Sequence, residues 1–440
     1  MNGAPVLAGF DPGPEIRRSV RGQERHATRL RETTRGLSRF AGLDESARAQ
    51  ALDERLATLR AALWRSPFYC SALRERGLSP HDLRRALDLP HFPLLDRDAL
   101  RAGFATLPAL PARGPVSRLF VERSSGSTGQ PVSVLKEDYD SVHMWAVLRF
   151  WASRLGLRLP ARPRIALLCT LPHGVEYRTP LPALRGTLER ISLARPAPGA
   201  RLADFRPDAV FTDPAGLHWL AGQPDPWRPK LLLSSAMHLP PELRERVAAR
   251  LDVPVLNYYS CAETGPIAWE CIAAPGRFHV LLPDVFVESV AGELVVTRLR
   301  ASVLPLLRYR TGDAGRVERD WCRCGHRGFS ILGLLGRRAC SFTTPDGRVV
   351  DAWRLAWVFR HHPLDGFRLT QDPAERFRLE TTGDPPGGAA RLIGRLRATL
   401  GALGWPGAQI EHRRVPREAL ASAKPEPFVD RSRALSEDHR

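Results

Sequence analysis

Lysine is almost missing from this 440-residue chain: it occurs at Lys136, Lys230 and Lys424, against 62 arginines. An arginine-rich proteome accounts for the bias. A position that keeps lysine against it is a candidate for a task that arginine's wider planar fork cannot do. Long apolar runs are missing too, and no stretch approaches the ~20 residues of a membrane-spanning helix. The first twenty residues show no charged leader followed by an apolar core, so a secretory leader is not expected. Seven cysteines, an odd number in a large chain, argue against a disulfide scaffold and for a reducing cytoplasm. No lysine follows a glycine, which excludes a Gly-Lys-Ser/Thr phosphate loop. No Gly-x-Ser-x-Gly elbow stands out, so a hydrolase has little support. The net charge of +18 is spread along the chain without a dense basic run or a recognisable module, so no specific nucleic-acid partner is expected.

What is present is ordinary globular composition, with 43% hydrophobic and 25% charged residues. Residues 1–25 hold glycine and proline and are expected to be loose. Apolar spacing of three and four (Leu52, Leu56, Leu59, Leu63) predicts a helix over His26–Arg65, and a second covers Pro67–Arg76. Prolines 90, 93, 108, 111 and 115 then read as loop. Strand-like runs (Arg118–Glu122, Ile165–Thr170, Ala209–Thr212, Leu231–Ser235, Val253–Tyr258) alternate with helices (Asp140–Leu155, Pro241–Arg250), which argues for an α/β sheet. From Phe278 the texture becomes hairpin-like. After Arg337 a helix, two strands, a helix and a strand make a compact α+β unit. The fold class expected is α/β, with a large N-terminal domain of mixed sheets flanked by helices (1–336) and a small α+β C-terminal domain (337–440).

The most informative stretch is Ser124-Ser125-Gly126-Ser127-Thr128-Gly129, set between two β-runs. Glycines let backbone approach a ligand closely, and successive N–H groups with hydroxyls can form an anion nest. Taken alone, it equally describes a surface hairpin. Three further motifs follow in order. They are Tyr259-Ser-Cys-Ala-Glu263 with Thr264-Gly-Pro-Ile-Ala and Glu270-Cys271; Gly292-Glu-Leu-Val-Val-Thr297 leading to Leu307-Arg-Tyr-Arg-Thr-Gly-Asp313; and Gly336-Arg337 after Cys322-Arg-Cys-Gly. With these four motifs in this order, the chain resembles the adenylate-forming ligases over roughly residues 60–430, most closely the phenylacetate–CoA ligase branch.

That resemblance implies an ATP- and Mg²⁺-dependent enzyme that adenylates an aromatic or arylacetic acid and passes the acyl group to a thiol, coenzyme A foremost. A carrier-protein thiol or an amine is the alternative acceptor. A degenerate nucleotide- or nucleic-acid-binding protein of the same fold is the non-enzymatic rival. By resemblance, Ser124–Gly129 bind phosphates, Ser235 and Ala236 line the adenine pocket, and Tyr259 stacks on adenine. Glu263 holds Mg²⁺, a hard cation suited to carboxylate oxygen. Asp313 accepts from the ribose hydroxyls, and Arg337 contacts the nucleotide at the hinge. Lys424 enters from a C-terminal loop to bridge carboxylate and α-phosphate. The chain departs from the family at Val132 (commonly Lys), at Arg338-Ala339-Cys340 (commonly acidic) and at Ala423 (commonly Gly). Lys136 is expected on an exposed strand face. Acid-pocket side chains are expected around Phe150–Trp151, His173–Tyr177, Met237–His238 and Thr264–Ile267. Cys271, His279, Cys322 and Cys324 make a Cys₃His set of the type that holds structural zinc, with His326 a competing ligand.

Overall fold

The computed structural model describes residues 13–432 apart from 111–117, 124–131, 170–175, 194, 224–226, 238, 336–340, 352–354, 356–357, 359–366, 374, 384–387 and 421–427. The N-terminal stretch is not loose where described: Gly13–Arg25 form helix α1. Tertiary contacts hold it. Gln23 Oε1 accepts from the Ala183 amide at 3.0 Å, and Arg25 and the following His26 both bind the buried Asp138. The single helix expected over His26–Arg65 is two, α2 (Ala27–Gly42) and α3 (Glu45–Leu63). Leu43 takes extended backbone, and Asp44 Oδ1 caps α3 by accepting from the Ala47 amide at 2.9 Å. A short helix α4 (Pro67–Arg74) follows. The proline-rich stretch is interrupted by α5 (Arg97–Ala102), whose cap is Asp96.

Strands β1 (Leu119–Arg123) and β2 (Ser133–Glu137) pair as an isolated antiparallel ladder. The main sheet contains β3 (Arg164–Cys169), β4 (Tyr177–Leu181), β5 (Gly186–Ser192), β6 (Ala209–Thr212), β7 (Leu231–Ser234), β8 (Val255–Cys261) and β9 (Gly265–Glu270). It continues with β10 (Arg277–Val280), β11 (Val285–Val290), β12 (Glu293–Arg298), β13 (Tyr309–Trp321) and β14 (Arg327–Leu335). Their order is β11-β12-β13-β14-β10-β9-β8-β7-β6-β3-β5-β4. Strands β5, β3, β6, β7 and β8 run parallel; β9 onward is antiparallel. Strand β8 is the seam, parallel to β7 on one side and antiparallel to β9 on the other.

Helix α6 (His143–Arg154) packs on one face of the sheet, where Trp145, Phe150 and Trp151 meet Phe211, Trp269 and Tyr258. Phe150 and Trp151, expected at an acid pocket, are therefore core residues. Helices α7 (Pro198–Phe205), α8 (Pro214–Ala221) and α9 (Pro241–Leu251) cover the other face through Leu202, Leu217, Leu220 and Val247. A smaller C-terminal α/β domain has its own core around Phe342, Phe377, Leu396 and Trp405. It is built on the ladder β15 (Ser341–Thr343) with β16 (Val349–Asp351). A second sheet joins β17 (Phe367–Asp372), β18 (Arg376–Thr381), β19 (Gln409–Arg414) and β20 (Phe428–Asp430), with α10 (Ala389–Leu403) packed beside it. Among the described residues no helix is long and apolar enough to cross a membrane.

Candidate active site

Two of the sheet's register shifts aim the carboxylates. Between β8 and β9 the register shifts after Tyr259↔Ala268, and the turn closes through Gly265 at φ +80°, a conformation that disfavours any Cβ. Glu263 sits in that turn and is buried. Between β12 and β13 the register slips from Val295↔Arg310 to Glu293↔Ala314, so Thr311-Gly312-Asp313 bulge out. Gly312 adopts φ +82° and its amide donates to Glu293 Oε1 at 2.9 Å. The Thr311 hydroxyl donates to the Leu294 carbonyl and accepts from the Asp313 amide. The bulge turns Asp313 toward β8, where the Tyr259 hydroxyl donates to its Oδ2 at 2.6 Å.

Glu263 Oε1 accepts from the Tyr309 hydroxyl at 2.9 Å and from Arg97 Nη2 at 3.1 Å. Burial alone would raise this carboxyl. Its own backbone amide, Arg97 and Tyr309 outweigh burial and hold it below the ordinary glutamate range. Burial also pushes Tyr259 well up, with the Asp313 charge adding to it, so its hydroxyl stays a donor at neutral pH. Behind the turn, Arg300 Nη2 donates to the Thr264 carbonyl at 3.3 Å while Nη1 pairs with the buried Asp140. Burial would raise Asp140, but Arg300 and Arg298 bring it far below the usual range. Cys261 Sγ lies 3.1 Å from Thr264 Oγ1. Ser235 sits just past the end of β7 with its Oγ 3.2 Å from Ser260 Oγ, and Ala236 is exposed at φ +72°.

The structure thus brings Tyr259, Glu263, Asp313 and Ser235 to the seam of the sheet. Ser124, Ser125, Gly126, Ser127, Thr128, Gly129, Arg337 and Lys424 lie outside the described residues, as do His173 and His238. Lys136 is not on an exposed face. Strand β2 alternates Val132, Val134 and Lys136 inward, and the buried ammonium pairs with Glu122 Oε2 at 2.7 Å. Glu270 has a structural partner set, Arg244 Nη2 at 2.8 Å and the Gly276 amide at 2.6 Å. Arg97 and Arg300 escaped sequence reading because one arginine among 62 carries no signal. Tyr309 was within the quoted Arg-Tyr-Arg motif, and its position there was the available clue.

Away from this seam, the β9–β10 turn, strand β10 and the β13–β14 turn bring Cys271, His279, Cys322 and Cys324 together, all four ligand atoms within 4.8 Å of one another. Cys271 and Cys322 sulfurs are 3.6 Å apart, and Cys324 Sγ is 3.2 Å from His279 Nε2. Tetrahedral zinc with Zn–S bonds of about 2.3 Å spaces its sulfurs about 3.8 Å apart, so the donor set fits. Ser330 Oγ lies 3.2 Å from His279 Nδ1 and orients the ring. Burial, with Arg277 and Arg154 nearby, brings His279 down to about 4, leaving the neutral imidazole that ligates metal. His326 is not in the set; it stacks on His279 with centroids 4.0 Å apart.

No protein-family model matches the chain. Among curated proteins, phenylacetate–coenzyme A ligase of Thermus thermophilus is 30% identical over 317 residues, covering 65% of this chain and 69% of that one. The ligase of the same name from Pseudomonas putida is 28% identical over 284 residues, 57% and 62% of the two chains. Among solved structures, 2-hydroxyisobutyryl-CoA ligase in the postadenylation state superposes with a TM-score of 0.58 at 20% identity, covering 91% of this chain and 94% of that one; this similarity speaks to the fold. On the ordered motifs, the fold and the Thermus identity together, the chain belongs to the phenylacetate–CoA ligase-like branch of the adenylate-forming ligases.

Proposed function

We propose that the protein joins ATP to a carboxylic acid, releasing pyrophosphate, and hands the acyl group of the adenylate to the thiol of coenzyme A. The observation that carries this is the convergence of Tyr259, Asp313 and Glu263 at one seam, two carboxylates and an aromatic ring placed by bulges on separate strands. Asp313 offers acceptor oxygens for ribose hydroxyls, and Tyr259 both braces it and presents a ring for adenine. Glu263 is ionised and is the hard donor that magnesium takes. That ion would offset polyphosphate charge as the acid attacks the α-phosphate. Ser124–Gly129 supply backbone and hydroxyl donors to the phosphates. Lys424 approaches the reacting carboxylate and α-phosphate. By the family resemblance, Arg337, next to the division expected at 336/337, is the hinge residue between adenylation and transfer. The acid is aromatic or arylacetic by likeness to the relatives, whose name is phenylacetate–coenzyme A ligase. The Cys₃His cluster offers four protein ligands and leaves no open position, so a zinc held there would be structural.

The test is ATP–pyrophosphate exchange with a panel of aromatic, aliphatic and amino acids, before any acceptor is added. Exchange with an aryl acid, followed by thioester formation on adding coenzyme A, supports the reading. A carrier-protein thiol or an amine replacing coenzyme A would redirect the second step. Glu263→Gln should lower exchange by about a hundredfold or raise the Mg²⁺ requirement steeply. Cleavage of ATP to ADP and phosphate would refute adenylation.

A further inference from the structure

Glu263, the carboxylate assigned to magnesium, is gripped by an arginine that no motif contains. Its placement is built rather than incidental. Arg308, at φ +50°, forks onto Glu288 with Nε and Nη2 at 3.1 and 3.0 Å. Its Nη1 donates to the carbonyls of Pro90 and Phe92. Leu95 then bridges β13 in parallel: its amide donates to the Arg308 carbonyl at 3.0 Å, and its carbonyl accepts from the Arg310 amide at 2.8 Å. Asp96 caps α5, and Arg97, first residue of that helix, is delivered over Tyr309. Its Nη2 reaches Glu263 and its Nε the Tyr309 hydroxyl at 3.4 Å. The Glu263 side chain is 2% exposed but that of Arg97 is 22% exposed, so the arginine side chain reaches solvent where the carboxylate it holds does not.

The charge around the phosphates gives this cation a task. Ser124–Pro131 contains no charged residue. Beyond it, Val132 and Val134 are core residues and Lys136 is committed to Glu122. One divalent ion offsets only part of a triphosphate's charge. A guanidinium matches phosphate oxygens with paired N–H groups, and it can serve one while still touching a carboxylate.

We propose that Arg97 is a ligand of the ATP polyphosphate, and that without nucleotide it holds Glu263 in the orientation that receives the cation. The proposal rests on the ligase reading above and names a residue for that same site. Calorimetric titration of the full chain with Mg–ATP tests it for the wild type, Arg97→Ala, Arg97→Gln and Arg97→Lys, alongside thermal melting. Arg97→Ala and Arg97→Gln should bind Mg–ATP at least about tenfold more weakly, with Arg97→Lys between them and the wild type. In exchange assays KM for ATP should rise while KM for the acid stays within about twofold. Glutamine keeps a donor for Glu263 without the charge, so it separates phosphate binding from simple propping should the alanine variant fail to fold. Wild-type Mg–ATP affinity in Arg97→Gln would overturn the proposal and leave the ligase reading standing. A wild type that binds no Mg–ATP would overturn both.

Discussion

The Tyr259 hydroxyl and Asp313 Oδ2 are joined at 2.6 Å across 54 residues of sequence, each carried there by a register slip in its strand. Phenol and carboxylate are thus one unit, and under the proposed function its ring would meet adenine while its carboxylate accepts from the ribose. Asp313→Ala should raise KM for ATP by more than about tenfold, because the carboxylate acceptor is lost. Tyr259→Phe should raise it by only a few-fold while leaving the ring. The double variant should fall short of the product of the two effects, since the residues act together. Steady-state exchange kinetics at varied ATP measure all three, and a fully multiplicative double variant would dissolve the unit.

Metal analysis should find about one zinc per chain, held by Cys271, His279, Cys322 and Cys324. Cys322→Ser should lose the metal and melt several degrees lower, because binding energy at a structural site is folding energy. Zinc-free protein with an unchanged melting temperature would refute the site without touching the ligase reading.

Lys424 is one of three lysines in a chain that otherwise uses arginine, and the other two have structural partners: Lys136 pairs with Glu122, and Lys230 donates to the Arg158 carbonyl. Lys424→Ala and Lys424→Arg should each slow adenylation by about a hundredfold or more, with ATP binding and melting nearly unchanged. Transfer from a preformed acyl-adenylate should be much less affected. Near-wild-type exchange by Lys424→Ala would remove the residue from the mechanism.

Alkaline stability offers a test that needs no substrate. Burial raises the pKa of Tyr69, Tyr258, Tyr259 and Tyr309, that of Tyr258 to about 12. Unfolding returns each to about 10. The raised folded pKa means that their contribution is complete below pH 10. Above it the unfolded chain sheds protons that the folded chain keeps, so stability falls as pH rises. Each such tyrosine steepens the loss by about 1.4 kcal/mol per pH unit until it ionises in the folded state. Urea melts at pH 8, 10 and 11 should show a midpoint constant over the first interval apart from other groups, then a steep drop. Tyr309→Phe should lessen the slope of that drop.

Local sequence determined much of the architecture. Alternation of short apolar runs with amphipathic stretches located β3, β6, β7 and α9 within a residue or two, and α10 is the second helix expected after Arg337. The central strands β6 and β7 are buried on both faces and show as short continuous apolar runs, whereas α9 buries one face and shows its period; both patterns are local in the chain. The family resemblance carried by the ordered motifs likewise marked Tyr259, Glu263 and Asp313, and the types of ligand residue suggested the Cys₃His set. What only the tertiary structure decided is what those groups touch. Helix α1 exists through Asp138 and Ala183, far along the chain, so its polar, glycine-bearing sequence read as loose. Lys136 turned inward because β2 shares its alternation with Val132 and Val134, a phase that a charged residue conceals. Arg97 reached Glu263, 166 residues away, through the Leu95–Tyr309 bridge. Hydrogen bonds and ion pairs of that span depend on where strands end and bulge, and no local periodicity encodes the partner at the far end.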